Sequence, residues 1–154
     1  MNELHGYDIE DLQVGETVYY AKKLTEDDMA LFAGASGNVG AVCLSEAYAG
    51  TSPFKGRIVQ EFLTASLISA AITSKFPGPG SVCMSQSMRF NAPVRPGETV
   101  NVEITVRDVA VEKSRVALET NCYVGDTLVI EGEALVRTTS AAQRETSQAE
   151  VWPR

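Results

Sequence analysis

Glu61 opens the longest apolar stretch of the chain, and a carboxylate in that place has two uses. At the first turn of a helix it is stabilised by the helix dipole; facing a pocket it is a base for water or a nucleophile. Cys43, Cys83 and Cys122 are the thiols, reactive only as thiolates, whose ordinary pKa is about 8.5. Asn38 and Gln60 cannot ionise, so they orient water or substrate without accepting its proton. Lys55 and Arg57 stand just before Glu61, and Arg89 and Arg95 flank a later strand. Such a cluster either holds phosphates or is solvated surface charge. His5, near the N-terminus, is the only histidine, which argues against a Ser-His-Asp triad, a Cys-His dyad within one chain and a His-rich metal centre. The cysteines are odd in number and lack C-x-x-C spacing, so no zinc site and no disulfide framework is expected. No cofactor and no metal is expected.

These groups are carried by a chain of 154 residues, enough for one domain with one core. Hydrophobic residues make up 44% and charged residues 21%, the balance of a globular protein. A net charge of −7 argues against nucleic acid and against an anionic membrane surface, both of which need a basic face. The segment MNELHGYDIEDL is acidic and lacks the apolar core of a leader, and no apolar run approaches the ~20 residues of a membrane span. The cytoplasm is the expected compartment, consistent with unpaired cysteines.

Residues 13–24 read as a strand rich in β-formers. Thr25 to Asp28 is a capping-box start for a helix that ends near Ser36 and Gly37. A loop and short-helix region punctuated by Gly40, Gly50, Pro53 and Gly56 follows over 38–57. Residues 60–76 form a helix apolar or small nearly all round, the pattern of a buried helix, and PGPG at 77–80 ends it. Four strands are predicted over 81–92, 98–109, 114–123 and 127–138, with period-two alternation at Val100, Val102, Ile104 and Val106. Cys83 and Cys122 fall on these strands and are expected in the core. From Thr139 the polar composition predicts a disordered tail over 139–154.

The run FAGASGNVGAVCLSEAYAGTSPFKGRIVQEFLTASL, residues 32–67, resembles without a gap the signature segment of the MaoC-like (R)-specific enoyl-CoA hydratases. The shared frame is Phe32, Ala33, Ser36, Gly37, Leu44, Tyr48, Ala49, Phe54, Ile58, Leu63 and Leu67. The later run FPGPGSVCMSQSMRFNAPVRPGETV is similar to the same family, so the resemblance covers about residues 10–138. It implies an α+β hot-dog fold over 1–138: an antiparallel sheet wrapped around the long helix 60–76. In the family an Asp and a His add water across an enoyl thioester, and a backbone N–H at the start of the buried helix holds the thioester oxygen. Here Asn38 stands for the Asp, Cys43 for the His, Gly40-Ala41 for an Asn-Pro and Gln60-Glu61 for a His-Gly. Glu61, Cys43, Asn38 and Gln60 are therefore the candidate catalytic set. Ser69, matching a family serine, Gln86, Lys55 and Arg57 are the candidate substrate-binding residues.

Hydration needs a base for water and an acid for the α-carbon, and losing each is expected to lower the rate roughly 10²–10⁴-fold. Three readings remain open. The chain acts on or binds an acyl thioester, of CoA or of an acyl-carrier protein, or a related product, with altered chemistry. Alternatively it is a non-catalytic subunit beside an active homologue, or a thioesterase-like hydrolase using Glu61. A homodimer or such a heterodimer is expected, because a half-covered sheet with an apolar edge strand exposes pairing groups.

Overall fold

Alternating apolar side chains in the second half of the chain build one face of a sheet. The computed structural model describes residues 6–147, with side chains to residue 144. Its strands are β1 (Thr17–Lys23), β2 (Val82–Phe90), β3 (Thr99–Ala110), β4 (Arg115–Val124) and β5 (Thr127–Arg137). They form a five-stranded antiparallel sheet in the order β1-β3-β4-β5-β2. Val100, Val102, Ile104 and Val106 point inward from β3, facing Leu118 and Cys122 of β4, all at most 1% exposed. The register explains the alternation: Val102 pairs with Cys122 and Ile104 with Thr120, so one face of each strand meets the same core.

Helix α1 (Glu26–Ser36) begins where its capping box predicts. The Thr25 hydroxyl accepts the Asp28 N–H at 3.1 Å, and the Asp28 carboxylate accepts the Thr25 N–H at 2.9 Å. That N–H, then Lys22, hold the Asp28 carboxyl below its ordinary pKa. The helix stops at Gly37, whose φ of 77° suits a residue without a Cβ. Two short helices, α2 (Ala41–Leu44) and α3 (Glu46–Thr51), lead to the long helix α4 (Glu61–Ser74). Helix α4 lies across the sheet with Leu63, Leu67, Ile68 and Ile72 in the core. Truncating Leu67 to Ala would cost about 2–5 kcal/mol. This is the hot-dog arrangement the sequence predicts.

Three expectations change. Helix α4 is not enclosed all round: Glu61, Phe62, Ser66, Ser69 and Thr73 are exposed, because one sheet covers only one side of a helix. Cys83 is exposed rather than in the core, since β2 is an edge strand and also carries exposed Val82, Met84 and Phe90. The tail is ordered at its start, where α5 (Ala141–Ser147) follows β5. Glu10 caps it by accepting the Ser140 hydroxyl at 2.6 Å and the Ala141 N–H at 3.1 Å, and Asp8 pairs with Arg144. Those partners lie some 130 residues away in sequence, beyond any local pattern. Residues 148–154 and His5 lie outside the described residues.

Candidate functional site

The turn after α1 places Asn38, and the side chain serves the turn itself: its Oδ1 accepts the Gly40 N–H at 3.2 Å. That is an Asx turn, the local use expected of an asparagine in a Gly-rich loop. Cys43 follows on α2 and is 4% exposed, packed in the core. Burial pushes its thiol above the ordinary cysteine range; the Glu61 charge adds to the rise and Arg57 opposes it. Gln60 stands at the N-cap position of α4, fully buried, and its side chain makes no capping bond there. Its Nε2 donates to the Met29 carbonyl at 3.0 Å, tying the start of α4 to α1, and its Oε1 has no partner among the described residues.

Glu61 is placed differently. It is the first residue of α4, and with Thr64, one turn on, it reaches a cavity of about 260 Å³ whose other walls are Phe54, Phe90, Pro93 and Ile130. Among the described residues the lining is apolar apart from Glu61, Thr64 and Asn91, and Glu61 is the only ionisable side chain on it. The backbone at 61 is not left-handed, since Lys55 and Ser114 are the only non-glycine residues with positive φ among those described. A glutamate therefore fits there without backbone strain, and its N–H, in the first turn, has no acceptor within the helix. Cys43, Gln60 and Asn38 do not line this cavity, so of the candidate catalytic set the structure puts Glu61 alone on its wall. The i, i+3 spacing of Glu61 and Thr64 was the available signal for Thr64; nothing in the local sequence marked Asn91.

Ser69 and Gln86 are brought together elsewhere, in an apolar groove of about 220 Å³ between α4 and edge strand β2, with Phe62, Ile72, Cys83 and Met88. The Gln86 amide donates to Thr120 Oγ1 and the Ser87 carbonyl, each at 2.9 Å, while its Oε1 has no partner among the described residues. Gly132 makes room for this: a Cβ there would stand 2.9 Å from Gln86 Nε2. Phe62 and Phe90, ring centroids 5.6 Å apart, stand between groove and cavity.

The two basic candidates separate. Arg57 donates to the Cys43 carbonyl at 2.7 Å and ion-pairs with Glu26 at 2.6 Å and Glu46 at 3.6 Å. Its charge is spent on holding α2 and α3 against α1, which a sequence cannot reveal because Glu26 lies 31 residues away. Lys55 is exposed, with no hydrogen bond or ion pair from its ammonium among the described residues. Within the same described residues, no group of three His, Cys, Asp or Glu side chains is arranged to hold a metal, and no helix is long and apolar enough to cross a membrane.

Residues 11–133 match the family model described as MaoC like domain. A 3-hydroxybutyryl-CoA dehydratase of Methylorubrum extorquens is 42% identical over 135 residues, 88% of this chain and 86% of that one. An (R)-specific enoyl-CoA hydratase of Rhodospirillum rubrum is 42% identical over 127 residues, 82% of this chain and 88% of that one. Among solved structures, the unliganded R-hydratase of Pseudomonas aeruginosa superposes with a TM-score of 0.82 at 35% identity, covering 89% of this chain and 88% of its own.

Proposed function

Because the chain belongs to the MaoC-like domain family, we propose that it binds an acyl thioester at the start of α4 and has exchanged hydration for chemistry that one carboxylate can run. The observation that carries this reading is the lone ionisable group on the cavity wall, Glu61. At the positions of the hydratase pair stand an asparagine held in its own turn and a buried thiol whose proton is bound more tightly than usual. Hydration requires a base for water and an acid for carbon. Hydrolysis requires less, because the leaving thiolate is a weak base, with a conjugate pKa of about 8.5. Glu61 takes a proton from water, the water oxygen bonds to the thioester carbon, and the C–S bond breaks. The proton then passes from Glu61 to the departing sulfur. The N–H groups of Glu61 and Phe62, which have no acceptor among the described residues, serve the developing oxyanion. Ser69 and Gln86 line the groove for the acyl chain, and CoA or an acyl-carrier protein supplies the thiol.

A second reading is favoured by the burial of Cys43 and the exposed apolar edge at β2: a non-catalytic subunit paired through β2 with an active homologue. In either reading β2 supplies the partner surface, as a nine-residue edge strand with exposed Val82 and Met84. The test is to incubate the protein with crotonyl-CoA and follow enoyl absorbance and free thiol in parallel, with native mass spectrometry of protein purified from its own host. Thiol release without hydration is expected, from a homodimer. Rapid hydration would overturn the altered-chemistry reading, and a two-chain complex with neither reaction in the isolated chain would establish the subunit reading.

A further inference from the structure

Lys55 adopts a left-handed backbone, φ 59°, although glycine follows it immediately. A side chain in that region carries a penalty that glycine avoids, and such penalties persist where surrounding contacts enforce them. The turn is held locally by Ser52, whose carbonyl accepts the Lys55 N–H at 3.1 Å, and from outside by Arg95. Its guanidinium donates to the carbonyls of Phe54, Gly56 and Arg57, at 3.1 Å for Gly56 and 3.3 Å for Arg57. Three carbonyls around Lys55 thus converge on one cation. Arg95 itself sits in the loop after β2, next to Val94, and its N–H is held by the Glu98 carboxylate. Phe54, just before Lys55, and Pro93 and Val94, just before Arg95, are walls of the Glu61 cavity, so this turn stands beside it.

The ammonium displayed by this device is unpaired among the described residues, whereas Arg57 is matched by Glu26 and Glu46, and Arg89 lies 3.9 Å from Glu131. On a protein of net charge −7, a phosphorylated ligand approaching the cavity needs a local cation. We propose that Arg95 is a positioning residue that holds Lys55, the residue after the cavity wall Phe54, so that its ammonium receives a phosphate of the carrier to which the acyl thioester is attached. This rests on the acyl-thioester reading above. The phosphate comes either from the pantetheine arm, common to CoA and carrier proteins, or from the nucleotide of CoA.

The test uses thioether analogues, which are not consumed: S-butyl-CoA, S-butyl-4′-phosphopantetheine and phosphate-free S-butylpantetheine, titrated calorimetrically into the intact protein at low salt. Lys55→Gln is expected to weaken S-butyl-CoA about 2- to 5-fold, the scale of one exposed charge pair, and to leave S-butylpantetheine unchanged. The loss should vanish at high salt. An equal loss with S-butyl-4′-phosphopantetheine places the contact at the arm; a loss with S-butyl-CoA alone places it at the nucleotide. Arg95→Ala should reproduce the Lys55→Gln loss, and the double variant should be no weaker than either single. Lys55→Gly separates shape from charge: relief of the left-handed penalty raises Tm while the affinity for S-butyl-CoA falls. If Arg95→Ala fails to fold, the two Lys55 variants decide. Undiminished binding of S-butyl-CoA by Lys55→Gln or Lys55→Gly overturns the proposal, as does an Arg95→Ala loss that extends to S-butylpantetheine. If the unmodified protein binds none of the three analogues, it is the acyl-thioester reading that falls.

Discussion

Replacing Glu61 by glutamine removes the one ionisable group from the cavity wall while keeping its shape and polarity. If Glu61 is the base for water, turnover falls about 10²–10⁴-fold. At about 1.4 kcal/mol per decade this corresponds to roughly 2.7–5.5 kcal/mol of lost transition-state stabilisation. The fold should barely notice, because the side chain is exposed and an acid in the first turn of a helix contributes only about 0.3–1 kcal/mol. Affinity for an acyl thioester should hold or improve, since a negative charge leaves the wall. Loss of the Glu61 charge should also lower the Cys43 pKa, although burial, the larger cause, keeps it above the ordinary range. The assay is single-turnover release of thiol with a chromogenic disulfide reagent, performed in a Cys83→Ser background because Cys83 is exposed and would react. Turnover by Glu61→Gln within threefold of the parent would refute the assignment, as would a loss of rate matched by a collapse of Tm.

Other outcomes follow from the same geometry. Thr25→Ala should destabilise the protein by about 1 kcal/mol in urea titration, with Thr25→Ser near neutral, because the Thr25 hydroxyl accepts the Asp28 N–H at the start of α1. Dissociated monomer should present one fast thiol, Cys83, which pairing through β2 slows, while Cys43 and Cys122 react only on unfolding, and Cys83→Ser should remove the fast phase. Alkaline stability should decline from near the unfolded thiol pKa upward: burial pushes Cys122 up to about 12, and Cys43 is raised as well. The stabilisation from keeping these thiols protonated is complete below about pH 8.5 and is lost as pH rises through their folded values, at up to about 1.4 kcal/mol per pH unit for each. Denaturant midpoints of Cys122→Ala measured across that range should show a shallower decline.

Local pattern determined much of this protein. Thr25 and Asp28 mark the start of α1, Gly37 its end, and the alternation of Val100 to Val106 the inward face of β3, because capping and strand periodicity act over a few residues. The frame from Phe32 to Leu67 likewise announced the fold and the family. Tertiary structure decided how the changed residues are used. Asn38 kept to the local turn that its Gly-rich loop favours, but Cys43 and Gln60 went into packing, and Glu61 alone of the four reached the cavity. The places of Gln60 and Cys43 go with contacts to Met29 and Arg57, which lie 31 and 14 residues from them respectively, and no spacing rule spans such distances. The exposure of one side of α4 and of Cys83 has the same origin. A sequence shows that a helix is apolar, but only the placement of a single five-stranded sheet, with β2 at its edge, shows which side is left uncovered.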